Sequence, residues 1–168
     1  MDHKISRNIK KGSYSLTDFL MILISNKVRY MFMFILGFMW FRNHSDKKMV
    51  KNAVISLTVA LLINSLIKLF YYKPRPFMKH RIRLLIPSKM DSSFPSKHTI
   101  LMFAISTTVF LCKRALGLIM LGLSVLTGIS RIWVGHHYPS DIIGSAILGS
   151  LTGIVIEKMS RFSKFFYK

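Results

Sequence analysis

The chain has a single cysteine, Cys112, and six acidic residues among 168. One thiol excludes an intramolecular disulfide and a multi-cysteine metal site. At the end of an apolar run, Cys112 reads as a buried, inert side chain. Against the six acids stand 25 lysines and arginines, a formal net charge of +19, in a chain that is 51% hydrophobic. A soluble nucleic-acid binder would account for the charge but not for the long apolar runs, so no nucleic-acid partner is expected. A membrane protein with basic loops accounts for both, because such loops collect Lys and Arg and are drawn to anionic lipid. Repeats, low-complexity tracts and signs of a second domain are also missing. Residues 1–168 therefore read as one membrane-embedded domain, with 1–15 as a basic cytoplasmic N-terminus. No small-residue cleavage site accompanies "SNKVRY", which makes a cleaved signal peptide the lesser reading.

The expected fold class is all-α, a polytopic membrane helical bundle of about six segments. The apolar runs are 16–26, 29–42, 51–72, 97–112, 115–134 and 138–157. Lys27 and Arg29 separate the first two, which either both cross as short helices or leave 16–26 lying in the interface. With six crossings, both termini are cytoplasmic. Arg42, Lys47, Lys48, Lys51, Lys113 and Arg114 then obey the positive-inside rule, as do Lys4, Arg7, Lys10 and Lys11 and the tail Lys158, Arg161, Lys164 and Lys168. The outer loop 73–97 does not obey it: Lys73, Arg75, Lys79, Arg81, Arg83, Lys89 and Lys97 face only Asp91. Cations on the wrong side for their charge point to an anionic partner. Gly149 and Gly153 form a G-x-x-x-G pair that indicates close helix packing.

Three clusters fall at segment ends on that same outer face. Lys68 lies inside an apolar helix, where it either snorkels to the interface or meets an anion. Arg75, between two prolines, sits on a stiff extended piece and suits a bidentate grip on phosphate. In "PSKH", Ser96 reads as the N-cap of the fourth segment, and a helix N-terminus with free N–H groups is also an anion site. His98 follows in the first turn. In "SRIWVGHHYPSD", Arg131 ends one segment while His137 and Asp141, spaced i, i+4, share a face of the next. A carboxylate bonded to one imidazole nitrogen leaves the other free as a nucleophile. His136 has no such partner and reads as a rim residue or a structural hydrogen-bonding group. Ligation of a metal by His136, His137 and Asp141 is disfavoured by the surrounding cations, so neither metal nor cofactor is expected. Together these groups make a cradle for a phosphoryl group.

The motifs K-x6-R-P (Lys68, Arg75, Pro76), P-S-x-H (Pro95, Ser96, His98) and S-R-x5-H-x3-D (Ser130, Arg131, His137, Asp141) resemble the three-part signature of the type 2 phosphatidic-acid phosphatase family. The resemblance runs over about 50–157. It is strongest to the bacitracin-resistance branch of undecaprenyl-diphosphate phosphatases, which act at the extracytoplasmic membrane face. It implies that Lys68, Arg75, Ser96 and Arg131 hold phosphate, that His137 becomes a phosphohistidine oriented by Asp141, and that His98 is the general acid. The expected partner is a polyprenyl or glycerolipid phosphate. Phosphatidic acid, phosphatidylglycerophosphate or another prenyl diphosphate remain alternative substrates, and a lipid-phosphate-binding protein without catalysis is the alternative class. Lys97 departs from the family pattern, where glycine is usual and aspartate frequent in this branch. Its side chain either adds a cation beside His98 or reaches the second phosphate of a diphosphate.

Overall fold

The computed structural model describes residues 15–79, 84–87 and 90–166, and among these it contains helices and no strand. In chain order they are α1 (Leu16–Arg42), α2 (His44–Phe70), the short α3 (Pro76–Lys79), α4 (Lys97–Cys112), α5 (Arg114–Trp133) and α6 (Pro139–Phe166). Four of them are long and apolar enough to cross a membrane, and α4 is a shorter apolar helix at their centre. The chain is a multi-pass membrane protein.

Residues 16–42 form one helix rather than two segments. Lys27 and Arg29 are good helix formers, and no proline or glycine accompanies them, so a charge alone does not end the helix. A capping box starts α1: the Asp18 N–H donates to Ser15 Oγ at 3.2 Å, and the Ser15 N–H donates to the Asp18 carboxylate at 3.3 Å. Asn43 alone separates α1 from α2, and Lys113 alone separates α4 from α5.

The start of α1 and the end of α6 lie at opposite ends of the bundle, where the six-segment reading expects both termini on one face. At one end, Trp133 Nε1 donates to Asp18 at 3.0 Å and Arg131 donates to Ser25 at 2.8 Å. At the other, Lys113 pairs with Asp46, Asn52 donates to Glu157 at 2.8 Å, and Arg161 donates to the Leu111 carbonyl at 2.6 Å. Lys4, Arg7, Lys10, Lys11, Arg81, Arg83, Lys89 and Lys168 lie outside the described residues.

Helix α4 packs most extensively on α6. The G-x-x-x-G pair explains why. A Cβ at Gly149 would collide with the Ile100 carbonyl, and one at Gly153 would lie 2.7 Å from the Ala104 carbonyl. Small hydroxyl pairs tie the other helices to α4, Ser56 with Thr108 at 2.9 Å and Ser106 with Ser124 at 3.1 Å. Phe32, Val109 and Met120 are fully buried between α1, α4 and α5, whereas Phe34, Phe70, Leu118 and Ile143 face outward as a lipid-contacting surface. Cys112, expected to be buried, is exposed, because α4 ends there and the chain turns directly into α5.

Candidate active site

Gly135 has φ 82°, the left-handed backbone that glycine adopts without strain, and it turns the chain sharply after α5. Pro139 then opens α6 as its first residue, a position where its missing N–H is of no consequence. His136 and His137 are held on this turn, both buried. His137 thus precedes the helix, and the face shared at i, i+4 with Asp141 does not exist.

The consequence is a different set of hydrogen bonds from the one expected. His137 Nδ1 lies 2.7 Å from the backbone carbonyl of Ser93. A carbonyl only accepts, so Nδ1 carries the proton and Nε2 keeps its lone pair. The fully buried Asp141 carboxylate accepts instead from the Ser93 hydroxyl, from Lys73 Nζ and from the Tyr138 N–H at 3.1 Å. Asp141 therefore clamps Ser93 from the side-chain end, while Ser93 holds the imidazole from its carbonyl. Burial, then the charges of Arg75 and Arg131, push the His137 pKa well below its ordinary value, so the ring is neutral at pH 7.

Lys68 and Arg75 both converge on Asp91. Lys68 Nζ donates to one carboxylate oxygen at 2.9 Å, and Arg75 reaches the other through Nε at 3.0 Å and through its terminal nitrogen. Arg75 also donates to the His136 carbonyl at 3.4 Å, which ties this pair to the histidine turn. Burial raises the Asp91 pKa, but the Lys68 hydrogen bond and the charge of Arg75 outweigh it and hold the carboxyl below the usual range. This carboxylate occupies the two cations as a pair of phosphate oxygens would.

Arg131 is buried, donates to Ser25 Oγ on α1, and has a buried Nε without a partner. A buried guanidinium N–H left unpaired is uncommon and costly, which marks a place for an acceptor. His136 Nε2 meets the Ile86 carbonyl at 2.9 Å, so of the two readings for this residue the structural hydrogen bond applies. Burial, then the charge of Arg131, lowers its pKa to about 4.

Ser96 stands at the N-cap of α4, but its side chain makes no capping bond. Its Oγ accepts from Thr99 Oγ1 at 3.0 Å, and its N–H donates to Ser145 at 2.7 Å. The neighbouring hydroxyl competes successfully for the oxygen, and the first-turn N–H groups of α4 remain without intrahelical partners. His98 lies within electrostatic reach of Arg131, Arg29, His136 and Lys97. Its Nε2 is 3.5 Å from Arg29 on α1. Lys97 lies on the side of α4 that looks into a groove against α1 and α2.

All eight expected site residues thus collect at one end of the bundle. Five further residues join them that spacing did not reveal. Ser93 lies just before P-S-x-H, Lys73 falls at an unspecified position of K-x6-R-P, and Asp91 was visible as the loop's lone acid. Ser25 and Arg29 come from α1, far away in sequence. The signal for Arg29 is its charge within an apolar run, which in sequence reads as a segment boundary.

Residues 49–164 match the PAP2 superfamily. Undecaprenyl-diphosphatase BcrC of Bacillus subtilis (strain 168) is 38% identical over 163 residues, covering 95% of this chain and 84% of that protein. The bacitracin transport permease protein BcrC of Bacillus licheniformis is 37% identical over 116 residues, which is 68% of this chain and 57% of that one. Among solved structures, LpxE of Aquifex aeolicus superposes with a TM-score of 0.75 at 27% identity, covering 92% of this chain and 93% of that chain.

Proposed function

This chain belongs to the PAP2 superfamily of membrane phosphatases, and we propose that it hydrolyses undecaprenyl diphosphate to the monophosphate and inorganic phosphate. The reading is supported by the name of the Bacillus subtilis relative and by the site's chemistry. The observation that carries it is the His137 imidazole, neutral, pinned through Nδ1, and surrounded by cations.

In the proposed mechanism, Nε2 of His137 attacks the terminal phosphorus. The N–P bond forms as the bridging P–O bond breaks, and His98 gives a proton to the departing oxygen. Water then attacks the phosphohistidine, its proton passing to His98, and phosphate leaves. Lys68, Arg75, Ser96, Arg131 and the first-turn N–H groups of α4 stabilise charge on the equatorial oxygens. Asp91 must give up Lys68 and Arg75 as the phosphoryl group enters. Asp141 is a positioning residue that acts through Ser93.

The far end of the bundle carries Arg42, Lys47, Lys48, Lys51, Lys113 and Arg114. The positive-inside rule makes that end cytoplasmic and the cradle extracytoplasmic. Such an enzyme regenerates the lipid carrier outside the membrane and supports resistance to bacitracin.

Phosphate release from undecaprenyl diphosphate by detergent-purified protein, with phosphatidic acid offered separately, tests this reading. Release from the diphosphate is expected, with loss in His137→Ala. Release from phosphatidic acid alone would transfer the activity to glycerolipids, and substantial turnover by His137→Ala would remove the nucleophile.

A further inference from the structure

Arg29 stands at the midpoint of α1, about 20 Å along the helix from either end. It is exposed, and it stands level with His98 in the first turn of α4, at the cradle end of the bundle. Its neighbours among the described residues are Tyr30, whose hydroxyl it meets at 2.9 Å and over whose ring it lies at 4.7 Å, and His98 Nε2 at 3.5 Å. Among the described residues no carboxylate meets it, so the charge is matched by weak partners only. From Arg29 and Lys97 an apolar groove of about 700 Å³ runs between α1, α2 and α4 toward Trp40 and Lys51. It is walled by Phe32, Leu36 and Leu101, and an added Cβ at Gly37 in its floor would meet nothing within 4 Å.

We propose that Arg29, with Lys97, binds the lipid-side phosphate of a diphosphate substrate, and that the groove beyond them receives the first part of its prenyl tail. The inference rests on the reading of the previous section. If His98 protonates the bridging oxygen, the departing phosphate must lie beside His98 on the side away from His137. Arg29, 3.5 Å from His98 Nε2, is within reach of that phosphate, where negative charge develops on the leaving group. A tail attached to that phosphate meets the groove mouth at once, so the cations and the apolar channel match the two halves of one amphiphile. A monoester lacks the second phosphate and has no use for Arg29. The residue therefore sets the preference for diphosphates, outside the three-part signature.

The test compares kcat/KM ratios for the unmodified protein, Arg29→Gln, Gly37→Phe and the lipid-facing control Ile147→Phe. The substrates are undecaprenyl diphosphate, dimethylallyl diphosphate and phenyl phosphate. Arg29→Gln is expected to lower the diphosphate-to-monoester ratio by about ten- to a hundredfold, the loss of one charged hydrogen-bonding partner. Gly37→Phe, whose Cβ has open space and whose ring would narrow the groove, should lower the long-to-short diphosphate ratio by about tenfold. Ratios unmoved from those of the control would overturn the assignment. So would a fall shared equally by all substrates together with a changed oligomeric state, since a second copy would then be the occupant of the groove. If the unmodified protein cleaves phosphatidic acid and neither diphosphate, the substrate reading fails and the Arg29 assignment with it. In that event the groove assignment is decided by the dioleoyl-to-dihexanoyl phosphatidate ratio of Gly37→Phe.

Discussion

His137 needs no base to free its attacking nitrogen, because a carbonyl 2.7 Å from Nδ1 fixes the tautomer and burial keeps the ring neutral. The neighbouring carboxylate contributes at one remove. Asp141→Asn is therefore expected to slow turnover by about a hundredfold through a misplaced ring, leaving KM little changed. A drop as complete as that of His137→Ala would instead assign Asp141 a direct part. Removing the unpaired donor with Arg131→Ala should reduce kcat by ~10²–10³, the effect of losing one oxyanion donor. Asp91 works in the opposite sense. In Asp91→Asn, Lys68 and Arg75 lose their anionic partner, and product inhibition by inorganic phosphate should tighten by up to about fivefold, since the carboxylate it replaces is half exposed. Weaker inhibition would mean that Asp91 holds the cations in place rather than competing for them. At this scale the sequence was legible where charged and histidine motif residues gather at one end of the bundle. It was illegible where a backbone carbonyl does the orienting, because a carbonyl has no residue type.

Among the helices, α4 and α6 were readable from the glycine pair, and α1 was misread. Both facts have the same origin. A glycine spacing reports how near two backbones approach, whereas a lysine and an arginine in an apolar run report only that charge is present. Gly149→Ala should test the first point. It pushes a methyl group into the Ile100 carbonyl and should destabilise the bundle by about 1–3 kcal/mol, seen as a lower melting temperature in detergent. Gly37→Ala, with open space around it, serves as the comparison and should melt with the unmodified protein.

For the molecule as a whole, crossing number fixes which ends lie together, and the continuity of α1, with its start at the opposite end of the bundle from the end of α6, makes an odd number the expected outcome. Single cysteines at Ser15 and Ser160, each in a Cys112→Ser background, should react with an impermeant thiol reagent from opposite sides of sealed vesicles. Labelling of both from one side would return the chain to an even number of crossings. The histidine turn also sets a pH dependence. His136 and His137 are buried and neutral when folded, while in the unfolded chain they take up protons near pH 6.5, so the unfolded state binds more protons below that pH. Stability should fall on acidification from about pH 6.5 toward about 4, by up to about 1.4 kcal/mol per pH unit for each ring. A melting temperature that stays level between pH 7.5 and 5 would contradict the burial of these rings.

Because Asn43 alone joins α1 to α2, the two must enter the bilayer during synthesis as one hairpin, before α4 and His98 have been made. Arg29 then inserts before His98 exists, with Tyr30 beside it, at a cost below the ~2.5–3.5 kcal/mol of an arginine at the bilayer centre. Its return comes later, when substrate arrives. Biogenesis and catalysis thus make opposite demands on one side chain. Arg29→Gln should insert more efficiently into microsomal membranes than the natural sequence while turning over diphosphate more slowly, and selection for yield alone would erode the enzyme at this position first.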